Sequence, residues 1–433
     1  MPWNGQRDSV EPVRLSGRSA VAIAALALAA CTSGAPPATP GPRPVSTSPV
    51  VSSVAAPGCS AAAAPGRQLP AGLARLSAVP GDPFGVAVTA DGRWSFVSLV
   101  PNGSGGALGV FADTGSASPR LVRQIPLSGA ALGVTLTPDG RYLLVASGSG
   151  AAVVSVQAAE QGSPNAVLGT LSSGGGQAGG AIEVATSRDG RFAFVSLEDS
   201  DKIAVFNLQQ ALASHFRASG FVGDVPAGVA PVGLAVSPDG DWLYSTSELR
   251  SFSEVRRAAH HGTLSLELGG QGTLAVISVR KAETDPAHAI VSTVTAGCSP
   301  VRVITSPSGG TVWVTARGSD MLLGFSASRL RGDPAHSLIA WAGVGEAPVG
   351  LALVDGGQRV VVADSNRFGR RGARSSLAVV TVAAALAHRP ALAGYLPAGG
   401  FPRQMALEPD GRVLLVTNFS SRQLETVNVA SLP

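Results

Sequence analysis

The chain is short of charge. Only 14% of its 433 residues are charged, and lysine occurs just at Lys202 and Lys281. The formal net charge is +4, carried almost wholly by arginine. No dense basic run is interleaved with aromatics, so nucleic acid is not expected as a partner. Cysteine is scarce too, at Cys31, Cys59 and Cys298, with no Cys-x-x-Cys-His for haem attachment. The six histidines, at 215, 260, 261, 288, 336 and 388, form no cluster at metal-ligand spacing. Neither a metal nor a cofactor is expected. Hydrophobic residues, in contrast, make up 45% of the chain, enough to build a large core. Gly (54) and Pro (31) are abundant, which suits many short strands joined by turns.

Arg14 and Arg18 precede an apolar run from Ala20 to Ala30, too short to span a bilayer stably. The run ends Leu28-Ala29-Ala30-Cys31 and resembles a bacterial lipobox, in which the cysteine is lipidated. The expectation is a signal peptide over 1–30 and a lipid on Cys31, holding the protein at the cell envelope on the extracytoplasmic side. An ordinary signal peptide with a chance cysteine is the alternative. Residues 31–70, rich in Ala, Pro and Ser, read as a flexible tether.

From 71 to 433 a unit recurs seven times. Its pattern begins Pro-x-Gly-x-Ala and reaches a tight turn, Asp-Gly in five copies, Ser308-Gly309 in the fifth and Gly356-Gly357 in the sixth, followed by an apolar run. Copies start at Pro83, Ala131, Ala181, Pro231, Pro300, Pro348 and Pro402. The period is roughly 48–54, stretched to about 69 between the fourth and fifth copies. Asp-Gly between apolar runs is a hairpin signal, because Gly accepts positive φ and Asp bonds its own backbone. Four strands per unit fit an all-β propeller of seven four-stranded blades. The seventh unit lacks a fourth strand, and Leu73–Val79 is strand-like with no blade of its own. It either completes blade seven and closes the ring or is linker.

Val312-Trp313-Val314-Thr315 and Leu415-Val416-Thr417-Asn418, with the Pro-Asp-Gly turns, resemble YVTN-type β-propeller repeats, in the superfamily that holds lactonase-like propellers. The resemblance spans about 71–433. It implies a ring whose first strands line a central channel. It says little about function, since the repeat residues are structural.

Two registers are expected to open onto one rim of such a ring. The third repeat position reads Gly85, Gly133, Glu183, Gly233, Arg302, Gly350 and Gln404. The ninth residue after the turn reads Val100, Gly148, Glu198, Glu248, Arg317, Ser365 and Phe419. Large polar side chains there are not demanded by the repeat. Together with Asn366, Arg367, Arg403 and Asn418 they suggest a polar funnel for a small polar or anionic ligand, or for a protein partner. They equally allow ion pairs that plug the channel mouth. A lactonase-like hydrolase is a further reading, with Glu198 or Glu248 as base and Arg302 and Arg317 as electrophilic partners. A binding scaffold, monomeric and membrane-tethered, asks least of the sequence. An insertion at 250–271, with His260 and His261, reads as a basic loop beside the rim. With Cys31 lipidated, Cys59 and Cys298 remain for a disulfide or as two free thiols.

Overall fold

A computed structural model describes residues 51–53, 58–59, 62–100, 105–113, 119–174, 179–250, 270–369 and 372–433. Cys31, the apolar run before it, and most of the 250–271 insertion with His260 and His261 lie outside the described residues. Seven antiparallel sheets follow one another along the chain. Blade three is representative, with strands Ala181–Thr186, Phe192–Leu197, Lys202–Asn207 and Phe221–Val225, innermost first. The inner strand of each blade touches those of both neighbours, and the seventh touches the first, so the sheets form a ring. Ala74–Ala78 pairs antiparallel with Gln423–Asn428 and is the outer strand of blade seven. The chain thus fastens its own ring by pairing a strand that precedes blade one with the last strand of blade seven.

Local chemistry explains the repeat. At the turn of blade two the Thr137 hydroxyl donates to Asp139 and accepts from the Tyr142 N–H, while Asp139 accepts from the Arg141 N–H. Gly140 sits at φ +69°, which a side chain would resist. The same arrangement recurs at Asp91, Asp189 and Asp239. At Asp91 and Asp239 the hydrogen bonds from Thr89 and Ser237 are the chief cause that holds the carboxyl below its ordinary range, and burial opposes them. The strands are apolar on both faces because a separate apolar cluster fills each gap between adjacent blades.

A second recurring contact ties blade to blade. The Ser196 hydroxyl, on the second strand of blade three, accepts from the Glu183 N–H and donates to the Val232 carbonyl of blade four, at 2.8 Å. Ser98 bridges blades one and two in this way. Thr315 reaches the Val349 carbonyl of blade six. Thr417 accepts from the Gln404 N–H and donates to the Phe84 carbonyl, joining blade seven to blade one. Blade two has Ala146 at this position, and there the Gly133 N–H donates directly to the Ile182 carbonyl.

The expectation of a flexible tether up to residue 70 needs correction from Val51 onward. Val51–Ser52 adds a parallel strand to the outer edge of blade four. Cys59 and Cys298 are disulfide-bonded, with Cα atoms 5.3 Å apart. Ala64 bonds Val344 beside blade five, and Arg67 and Leu69 bond Tyr395 of blade six. The composition gave no strand signal, but outer strands offer unpaired backbone groups that any main chain can meet.

Two outcomes follow. Thr417→Val keeps the shape but strands the Phe84 carbonyl and the Gln404 N–H, and urea unfolding should show a loss of about 1–3 kcal/mol. Replacing both Cys59 and Cys298 by Ser opens a 239-residue loop. The same measurement should register a loss of about 2–4 kcal/mol with the ring intact by circular dichroism.

Candidate functional site

The inner strands are irregular where they enter the ring. In six blades the pairing register shifts between the first repeat position and the third or fourth, as at Pro300/Arg302 and Pro402/Met405. Such bulges re-aim side chains. The second positions of five blades, Phe84, Ile182, Val232, Val301 and Val349, form one buried apolar cluster, flanked by Leu132, Val100, Phe401 and Phe419. This collar closes the channel near the rim. The two registers expected to share one mouth are therefore on opposite sides of it.

On the inner side stand the third positions. Glu183 receives a hydrogen bond from Gln404 Nε2 at 2.8 Å, and Arg302 Nη2 lies 3.4 Å from the same carboxylate oxygen. The three come from blades three, seven and five and meet across the axis. Burial pushes the Glu183 carboxyl up, and Arg302, Gln404 and Arg403 oppose that effect. The intervening glycines make the room: a Cβ on Gly133 would stand 2.5 Å from Glu183 Oε1, and one on Gly85 2.8 Å from Gln404 Oε1. This layer forms one end of a cavity of about 410 Å³ that runs down the inner strands to Thr186 and Thr305, near the Asp-Gly turns.

On the rim side the second strands end at Glu198, Glu248 and Arg317. Arg317 Nη2 and Glu248 Oε2 are 2.8 Å apart, both side chains buried. A pair so placed is costly to break from either side. Glu198 is half-buried and opens a short 3-10 turn, Glu198–Ser200. It enters none of the ion pairs among the described residues. Burial, then the negative charge of Glu248, raises its carboxyl to about 7, while Arg317 and Arg403 pull the other way.

Arg403 is the charged member of the second-position register, where the other blades carry Phe, Leu, Ile or Val. Its guanidinium carbon lies 3.8 Å from the centre of the Phe84 ring, 5.3 Å from Phe401 and 5.5 Å from Phe419. Phe419 meets the other two rings edge-on. Arg367 lies over Phe401 at 5.9 Å. Burial, then the neighbouring Arg302 and Arg367, pushes the Arg403 pKa down. A guanidinium still keeps its proton at neutral pH. The Nε atoms of Arg317 and Arg403 are buried without a hydrogen-bond partner among the described residues.

Two expected members do not join. Asn418 is fully buried and its amide donates to Glu425 Oε2 at 2.7 Å. Asn366, in the left-handed region at φ +53°, turns its amide to the Ala373 carbonyl. Both support their own loops. The phenylalanine cage escaped the reading by register because aromatics at a channel wall pass for core. The signal was there in Arg403, which breaks an otherwise apolar series.

Chemically the rim combines an aromatic floor, three guanidiniums and a carboxylic acid near neutrality. No group of three or more His, Cys, Asp and Glu side chains suited to a metal occurs among the described residues. His288 and His336 instead pair with Asp285 and Asp333 at the surface.

A family model described as "Lactonase, 7-bladed beta-propeller" matches residues 80–367. No curated protein matches the chain. Among solved structures, Kuenenia stuttgartiensis hydrazine synthase superposes with a TM-score of 0.59 at 14% identity, over 82% of this chain and 97% of that one. A chain of the mitotic checkpoint complex gives 0.60 at 14% identity, over 82% and 93%. The β-propeller domain of Myceliophteria thermophila Cps50 (Swd1) gives 0.58 at 13%, over 82% and 99%. Likeness at this identity extends to the fold alone.

Between the ordinary carboxyl range and about 7, the folded protein retains a proton at Glu198 that the unfolded chain has released. Stability should therefore fall as pH rises from about 4.5 to 7. Glu198→Gln should melt at a higher temperature than the parent at about pH 8 and lose that advantage near pH 5, followed by calorimetry.

Proposed function

We propose, for a chain that belongs to the lactonase family of seven-bladed β-propellers, that the rim binds a small organic anion with an apolar or aromatic body. The observation that carries this reading is Arg403. Three phenylalanine rings occupy the surroundings of its guanidinium, yet its Nε has no partner among the described residues. A ligand carboxylate would satisfy that edge and lie within the field of Arg317 and Arg367, while its apolar part covered the rings. Glu248 holds Arg317 in place. Glu198, neutral below about 7 and charged above it, tunes the net charge of the mouth.

Hydrolysis is the second reading, favoured by the family and by the carboxyl of Glu198 near neutrality. Ionised Glu198 would take a proton from a water attacking the lactone carbonyl. The oxyanion that develops on the carbonyl oxygen would face the guanidiniums, and Glu198 would hand its proton to the ring oxygen as the ring C–O bond breaks, leaving a hydroxy acid. Glu198 suits this role better than Glu248, whose carboxylate is held by Arg317. A lipid on Cys31 would keep the propeller at the outer face of a membrane, whether the rim binds or hydrolyses.

The two readings have opposite pH dependence. Calorimetric titration with phenylacetate should show tighter binding at about pH 6 than at pH 8, a loss of about tenfold or more in Arg403→Gln, and a flat pH profile in Glu198→Gln. Hydrolysis of an aryl-substituted lactone would instead rise with pH through about 7 and vanish in Glu198→Gln. Phenylacetate binding that ignores Arg403 would remove the first reading. For the anchor, Cys31→Ser should move the protein from the membrane fraction to the soluble extracytoplasmic fraction on cell fractionation, and unchanged membrane retention would dismiss the lipid.

A further inference from the structure

The cavity on the turn side of the collar is separate from the rim and is not used by either reading above. Its volume, about 410 Å³, lies in the range of small-molecule sites. Its walls are Val134, Val184, Leu234, Val303, Leu351 and Met405, one from each of six blades. Threonines Thr135, Thr186 and Thr305 line it toward the turns, and its charged and amide groups are gathered at the other end. There Arg302, with 7% of its side chain exposed, donates through Nη1 to the Val301 carbonyl. Nε and Nη2 make no hydrogen bond among the described residues, although Nη2 faces Glu183 Oε2 at 3.4 Å, and Gln404 Oε1 makes none either. Nε and Nη2 form one edge of the planar guanidinium, the edge that suits a carboxylate.

Charge supports an anion at this end. Arg302 and, more weakly, Arg403 act on the single carboxylate Glu183, so two guanidiniums stand near this end, Arg403 being drawn also by Glu198 on the rim side. Buried polar groups without partners are costly, so the unmet donors and the unmet acceptor define what would satisfy them. The donors ask for carboxylate oxygens. Gln404 Oε1, an acceptor, asks for a hydroxyl or amine donor. The six apolar walls ask for an aliphatic remainder.

We infer that this turn-side chamber is a second ligand site, for a small aliphatic hydroxy acid whose carboxylate lies on the Nε/Nη2 edge of Arg302 and whose hydroxyl donates to Gln404 Oε1. The collar of Phe84, Ile182, Val232, Val301 and Val349 separates it from the rim, so its occupant enters from the turn face. The site is independent of whether the rim binds or hydrolyses.

Three four-carbon probes test the chemistry by calorimetric titration of the full chain: 2-hydroxybutyrate, butyrate and 1,2-butanediol. The hydroxy acid should bind most tightly. Butyrate should be several-fold weaker, and the diol about tenfold weaker or more, as each loses one set of hydrogen bonds. Arg302→Gln alone leaves Glu183 without its cation, so the variant to use is Arg302→Gln combined with Glu183→Gln, which removes both charges. It should weaken the hydroxy acid by about tenfold or more. Ala235→Phe, which fills the chamber from a wall position, should abolish binding, and it decides the matter if the double variant fails to fold. Binding that survives Ala235→Phe, or equal affinity for the three probes, would overturn the assignment, as would no saturable binding of 2-hydroxybutyrate.

Discussion

The ring depends on one short-range contact, the side-chain hydroxyl that the second strands of five blades place between their own inner strand and the next blade. It takes the N–H of the third repeat position and gives its proton to the neighbouring second-position carbonyl, as Ser196 and Thr417 do. Each bond contributes only about 0.5–1.5 kcal/mol net, but the backbone groups it satisfies would otherwise be buried and unmet. The contact also draws adjacent inner strands so close that a Cβ on Gly233 would stand 2.8 Å from the Val301 carbonyl oxygen. Glycine at the third position follows from that approach. It is the reason a large side chain there stands out.

From this spacing comes the division of the channel. With glycine in most blades, Glu183, Arg302 and Gln404 can extend to the axis and meet one another. The second positions converge one step nearer the rim and close the passage with apolar side chains. Arg403 belongs to that collar and is held by phenylalanine on several sides. It feels Arg302 on one side and Glu198, Arg317 and Arg367 on the other. Charge placed in either compartment therefore reaches the other through one buried cation.

Much of this was legible in the sequence. Asp-Gly turns, the period near fifty and the missing fourth strand of the last unit announced the blades and the way they close. Glu248 and Arg317, seen as charged departures at matching registers, do meet. Asn366 and Asn418 did not follow, because adjacency in a register says nothing about which way an amide turns when a loop carbonyl or a buried Glu425 is nearer. The Cys59–Cys298 disulfide was one of the two fates open to those cysteines, whereas the docking of Val51–Ser52, Ala64, Arg67 and Leu69 was illegible because main-chain bonds hold it.

The sequence by itself determined the repeat, its turns and the registers at which charge intrudes, because these arise from alternation and turn chemistry within a few residues. Only the tertiary structure decided that those registers lie on two sides of a collar. That outcome depends on bulges in six of the inner strands and on side chains from alternate blades meeting across an axis, distances that no local pattern encodes.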